Sequence, residues 1–203
     1  MRERNMDSNE IAAYYDQSCR DSQYGWQASF LFSEDDQYVR FATVNSIIAP
    51  NSSVLDVGCG QGDFCPFAKT KNLLYTGLDI SGEMIQKAKQ KFPMANFVQW
   101  DFVSNPIEEK FDYVMALGTF SLKVENQYEY IEKALIQCFV NCKKAVAATI
   151  LTTVSDVKYE SDESKLFYYD PAKLFAIASN ITPYLIFNTA TLPCEVTLYM
   201  YRF

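Results

Sequence analysis

No histidine occurs among the 203 residues of the chain. That removes the side chain whose charge changes most readily near neutral pH. Any general base must then be a carboxylate, a tyrosine, a lysine or water. Zinc sites lose their usual nitrogen ligands, and the six cysteines offer no CxxC pair instead; no metal is expected. No apolar run reaches the roughly 18 residues that a membrane span requires. The opening stretch MRERNMDSNE is charged and lacks the apolar core of a secretory signal, so a cytoplasmic protein without membrane attachment is expected. Basic residues are in deficit, with 18 Lys and Arg against 25 Asp and Glu and a net charge of −7. This balance disfavours a nucleic-acid partner, because phosphate neutralisation supplies most of that affinity. Repeats, low-complexity tracts and linkers are missing too, which leaves one domain with a sizeable core.

What is present alternates. Asp7 to Glu10 has the pattern of a capped helix start leading into IAAYYD. An aromatic loop with Tyr24, Trp26, Phe30 and Phe32 follows. Ser33 and the acidic turn at 34–36 open a helix that carries Tyr38, Phe41, Val44 and Ile48 on one side and stops near Pro50. Strand SSVLDVG, a short helix at about 63–69, strand LLYTGLDI and helix GEMIQKAKQKF come next, the last capped by Ser81. Strands ANFVQWDF and FDYVMALG, a helix over 126–142 and strand KAVAATILT complete this run. Ile131, Leu135, Cys138 and Cys142 recur at helical spacing, so the two cysteines read as small buried hydrophobes. Residues 153–169 are polar and acidic and read as a lid, with Tyr159, Tyr168 and Tyr169 in it. Asp170 before Pro171 opens the helix PAKLFAIAS, and strands YLIFN and EVTLYMYRF close the chain. Alternation followed by a hairpin implies an α/β three-layer sandwich whose parallel sheet carries one antiparallel strand.

Glycine is scarce, with only seven in the chain, yet three fall within residues 58–62 at the end of the first predicted strand. Such a turn brings backbone N–H groups and a helix N-terminus close to a ligand. Dinucleotide sites use G-x-G-x-x-G. Here the spacing is G-x-G-x-G and Asp63 follows, a carboxylate that would repel a pyrophosphate. A nicotinamide-dependent oxidoreductase is therefore a minor alternative.

From about residue 33 onward the sequence resembles the class I S-adenosylmethionine-dependent methyltransferases. The motifs are LDVGCGQGDF with Asp56, YTGLDISGEMI with Asp79, FVQWDF with Asp101, and ALGTF after the fourth strand, each at a strand end. The resemblance implies a Rossmann-like three-layer α/β/α sandwich with a seven-stranded, mostly parallel sheet, and small stand-alone bacterial members are its nearest kind. It implies residues 33–203 as the methyltransferase domain and 1–32 as an N-terminal helix and aromatic cap. Asp79 would take the ribose diol as an ionised double acceptor. Asp101 would accept from the adenine amino group, with Ile80, Met84 and Phe102 covering the ring. Asp56, Gly58, Cys59 and Gly60 would form the glycine loop and meet the amino-acid end, with Leu117 and Gly118 passing it by their backbone. Six of the seven glycines lie in or beside these motifs, where backbone must approach a ligand.

S-adenosylmethionine and its product S-adenosylhomocysteine are thus the expected cofactor pair, with in-line methyl transfer to O, N or S. The Asn/Asp-Pro-Pro-Tyr/Phe motif of amino methyltransferases acting on adenine or glutamine amides is replaced by Leu117-Gly118-Thr119-Phe120. A small, partly apolar acceptor is expected, enclosed by Tyr14, Tyr15, Tyr24 and Trp26. Tyr14, Tyr15 and Trp26 are the candidates beside the reacting atoms, and a tyrosine hydroxyl, Asp16 or Glu34 the candidates for assisting proton removal. A methyltransferase acting on RNA or protein, and a non-catalytic binder of the same cofactor, stand as alternatives.

Overall fold

The computed structural model describes residues 5–22, 33–156 and 165–203. The aromatic loop with Tyr24 and Trp26, and the centre of the polar stretch with Tyr159, lie outside the described residues. Helices α1 (Ser8–Asp21) and α2 (Glu34–Asn45) precede strand β1 (Ser53–Val57), helix α3 (Cys65–Thr70) and strand β2 (Leu74–Asp79). Helix α4 (Gly82–Lys91), strands β3 (Asn96–Gln99) and β4 (Phe111–Leu117), helix α5 (Gln127–Asn141) and strand β5 (Cys142–Leu151) follow. Helix α6 (Pro171–Ile181) and the hairpin β6 (Leu185–Asn188) and β7 (Glu195–Tyr201) end the chain.

The caps are those the sequence implies. Asp7 accepts from the Glu10 N–H while the Glu10 carboxylate accepts from the Asp7 N–H, a reciprocal capping box for α1. Ser33 caps α2, Ser81 caps α4, and Asp170 ahead of Pro171 caps α6. Just past the other end of α2, the Lys71 ammonium donates to the carbonyls of Asn45 and Ile48. The seven strands form one sheet in the order β3-β2-β1-β4-β5-β7-β6. All pairings are parallel except those of β7, which runs antiparallel to β5 and β6.

Alternation along the strands sorts the core into two layers. Leu55, Val57, Val114, Ala116 and Val146 face α5 and α6. Val54, Tyr113, Met115, Ala145 and Tyr199 face α2, α3 and α4. Both faces are covered, so β5 and β7 read as nearly continuous apolar runs. Cys138 sits in the stripe of α5 as expected, whereas Cys142 already begins β5, both of them buried.

Two side chains depart from the sequence pattern. Tyr38, expected on the inner side of α2, is 62% exposed and rests its ring on Phe67. Arg40 points inward instead and is buried against Glu195 at the start of β7. Its Nε donates to Glu195 Oε2 at 3.2 Å and its Nη2 donates to Oε1. A bidentate partner makes burial of the guanidinium tolerable. Tyr169, placed by the sequence in the lid, is fully buried in the core, where its hydroxyl donates to Phe120 O and accepts from Gln127.

Glu195→Ala removes the bidentate partner of the buried guanidinium, and urea denaturation is expected to show a loss of about 3–5 kcal/mol. The apolar pair Arg40→Met with Glu195→Leu is expected to recover most of it.

Candidate functional site

Strand order reverses between β1 and β4, and ligands of open α/β sheets sit outside the strand ends at such a point. Gly58 turns the chain there with φ +72°, in the left-handed region. A Cβ at Gly58 would stand 2.4 Å from the Thr119 side chain, so the turns after β1 and β4 meet only because that atom is missing. The N–H groups of Gly58 and Cys59 both donate to Leu78 O, at 2.7 and 2.9 Å. Not every glycine in the motifs serves a ligand. A Cβ at Gly77 would press on Cys59 Sγ and Phe97, so this glycine makes room for packing beneath the turn.

A cavity of about 80 Å³ opens beside the turn. Asp79 forms part of its wall and is buried. Its Oδ2 accepts from the Gly60 N–H at 2.8 Å and its Oδ1 from the Ser81 N–H at 2.9 Å. Burial pushes its pKa up to about 6, although those N–H groups oppose the shift. Ile80, Met84, Asp101 and Phe102 line the same cavity. Desolvation raises the Asp101 pKa, but hydrogen bonds from Ser104, Ser8 and nearby backbone outweigh it and hold the carboxyl below its usual range. Met84 lines the cavity and also packs with Cys19 and Tyr15.

A second, smaller cavity of about 30 Å³ lies on the α2 side of the turn. Gly58, Gly60 and Leu117 line both spaces, so the two adjoin. Asp56, Cys59 and Arg40 line the smaller one. Asp56 is buried and accepts from the Tyr75 hydroxyl at 2.7 Å; burial pushes its pKa up to about 7, the Tyr75 bond opposing the rise. Arg40 Nη1 would lie 2.8 Å from a Cβ on Gly118, whose φ is +72°. Thus the Leu117-Gly118 backbone passes directly over the guanidinium.

Of the tyrosines considered for the reacting end, Tyr15 lines the larger cavity, together with Ile11 of the same helix. Burial raises its pKa strongly, with Asp79 adding to the effect. Tyr14 is not part of that wall; its ring meets Tyr15 edge-on at 5.8 Å and carries the Lys165 ammonium at 4.6 Å. Trp26 lies outside the described residues. Asp16 is occupied in fastening α1 over the site: Oδ1 accepts from the Ser81 hydroxyl at 2.5 Å and the Glu83 N–H at 3.1 Å. Glu34 lies exposed in the first turn of α2.

Cavity residues that sequence reasoning did not single out for the site include Arg40, Trp100, Thr119 and Tyr130. Trp100 and Thr119 adjoin motif positions and were within reach of it. Arg40 and Tyr130 sit on helices with no local pattern pointing to the site. Among the described residues, no group of three or more Cys, Asp or Glu side chains is arranged to hold a metal ion.

A family model described as a methyltransferase domain matches residues 54–140. The protein Rv1506c of Mycobacterium tuberculosis, which carries a methyltransferase name, is 30% identical over 131 residues, covering 61% of this chain and 76% of that one. Cycloartenol-C-24-methyltransferase of Arabidopsis thaliana is 32% identical over 125 residues, 53% of this chain but only 37% of the plant enzyme. Among solved structures, magnesium protoporphyrin IX methyltransferase from Synechocystis PCC 6803 with bound SAM superposes with a TM-score of 0.69 over all of both chains, at 16% identity. The CcbJ methyltransferase of Streptomyces caelestis gives a TM-score of 0.71 over 97% of this chain and 99% of its own, at 13% identity. The chain belongs to the class I S-adenosylmethionine-dependent methyltransferases.

Proposed function

We propose that the cofactor lies across the glycine turn, with its adenosine in the larger cavity and its amino-acid tail in the smaller one. The supporting observation is that two chemically different cavities adjoin at Gly58, Gly60 and Leu117. Asp79 keeps unused lone pairs for two vicinal hydroxyls. Asp101 accepts from the adenine amino group, between Ile80, Met84 and Phe102. In the smaller cavity Asp56 faces the ammonium and Arg40 the carboxylate of a zwitterion. Cys59 takes part through its backbone, its thiol being packed against Gly77.

When bound, S-adenosylmethionine supplies a methyl group made electrophilic by its sulfonium. The protein's task is then to hold an acceptor in line and keep water away, effects that reach about 7–11 kcal/mol in favourable cases. Helix α1 covers the site through Ile11 and Tyr15. Because its pKa is raised, the Tyr15 phenol stays protonated and orients the acceptor by hydrogen bonding rather than acting as a base. Among the described residues, no Lys or Arg lines the larger cavity, and its remaining wall includes Val103 and Phe120. This lining supports a small, partly apolar acceptor that is not highly anionic, methylated on O, N or S. The cytoplasmic placement belongs to the same reading, since six buried free thiols suit a reducing compartment.

Asp79→Ala is expected to weaken S-adenosylhomocysteine binding by about 10- to 100-fold in calorimetry, the worth of a charged hydrogen bond or two. Unchanged affinity with an intact fold would sink the placement. In a transfer assay with labelled cofactor, small phenols, amines and thiols are expected to include an acceptor. Label appearing only in RNA or protein would overturn the small-acceptor reading.

Asp56 and Asp79 also set a pH dependence. Their folded-state pKa values, about 7 and about 6, lie above the roughly 3.9 of an unfolded aspartate. Their contribution to ligand-free stability is therefore complete below about pH 4 and is lost as pH rises through about 6 to 7. A cationic ligand favours the ionised carboxylates, so the rise in Tm on adding S-adenosylmethionine is expected to be larger at pH 8 than at pH 5. Asp56→Asn should flatten that difference; a larger shift at pH 5 would refute the assignment.

A further inference from the structure

Tyr130 stands on the first turn of α5 and lines the larger cavity together with Trp100, Asp101 and Phe102. Phe120 meets its ring edge-on at 6.1 Å and 77°, which fixes the plane of the phenol. Tyr130 is half-buried; buried phenols normally find a hydrogen-bond partner, and five other tyrosines do. The Tyr75 hydroxyl donates to Asp56, that of Tyr169 to Phe120 O, and that of Tyr199 to Thr43 O. The hydroxyls of Tyr113 and Tyr128 accept from the N–H groups of Ala49 and Asp170. The Tyr130 hydroxyl makes no hydrogen bond among the described residues, although burial and the nearby Asp101 carboxylate keep it protonated and able to donate.

One wall of the cavity therefore offers an ionised carboxylate, which only accepts, and a free O–H, which can donate. Adenine presents the complement, an exocyclic amino donor flanked by ring-nitrogen acceptors. We propose that Tyr130 is a specificity residue for the nucleobase, its hydroxyl donating to a ring nitrogen beside the amino group that Asp101 holds. A 6-oxo purine reverses this pattern and meets the Asp101 carboxylate with an oxygen. The inference rests on the adenosine placement proposed above and adds to it a side chain outside the strand-end motifs.

The test is calorimetry of wild-type protein and Tyr130→Phe with S-adenosylhomocysteine and its 1-deaza and 7-deaza adenine analogues. The variant is expected to bind S-adenosylhomocysteine about five- to tenfold more weakly, the worth of one hydrogen bond. One deaza analogue should show the same loss with wild type and no further loss with the variant. Equal affinity of wild type and variant for S-adenosylhomocysteine overturns the proposal. So does a loss of equal size for all three ligands, which would mark a packing role. Should Tyr130→Phe fold poorly, wild type alone decides, because equal binding of the three ligands also overturns it. Failure of wild type to bind S-adenosylhomocysteine at all would instead bring down the adenosine placement itself, and this inference with it.

Discussion

The buried carboxylate of Asp79 is the junction on which the site depends. It sits at the end of β2, accepts from Gly60 in the glycine turn and from Ser81 at the start of α4, and so ties three segments to one point. Ser81 in turn donates to Asp16, which fastens α1 across the cavity. Removing an anion from water is costly, and the raised pKa of Asp79 reports that cost. The backbone donors offset only part of it. In the proposed placement, a ligand with two hydroxyls would supply further donors to this carboxylate.

The sidedness of β1 explains why the site has two rooms. Leu55 and Val57 face α5 and α6, and the residue between them, Asp56, faces the opposite layer with Tyr75 and α2. The carboxylate is thus carried beneath the glycine turn into the smaller cavity, beside Arg40. The buried Arg40–Glu195 pair then connects this room to β7, the one strand running against the rest. The final hairpin is consequently more than a closing edge, because it holds the cation that lines the cofactor's proposed tail site.

Much of this was legible in the chain. Caps at Asp7, Ser33, Ser81 and Asp170, the strand–helix alternation and the antiparallel last strand each follow from local chemistry acting over a few residues. The motif positions that line the larger cavity were legible for a similar reason, since a parallel sheet gathers strand ends on one edge. Less legible were the helical contributors. Arg40 was not singled out because its partner lies 155 positions away, and no local pattern on α5 pointed to Tyr130. Tyr38 lies outside and Arg40 inside because only the packed structure sets Glu195 opposite α2. Tyr169, in a polar stretch, is core for the same kind of reason: its partners Gln127 and Phe120 come from elsewhere in the chain.

Sequence by itself determined the order and type of the elements, the turn that only glycine can make at position 58, and the carboxylates at the ends of β1, β2 and β3. These are consequences of backbone sterics and short-range hydrogen bonding, which a linear string encodes directly. Tertiary structure alone decided which faces meet: that Asp56 and Asp79 open into different cavities, that Tyr15 lines the site while its neighbour Tyr14 does not, and that Arg40 and Tyr130 join it. Those outcomes depend on contacts between residues far apart in the chain, where burial and pairing, rather than local propensity, set the energy of each side chain.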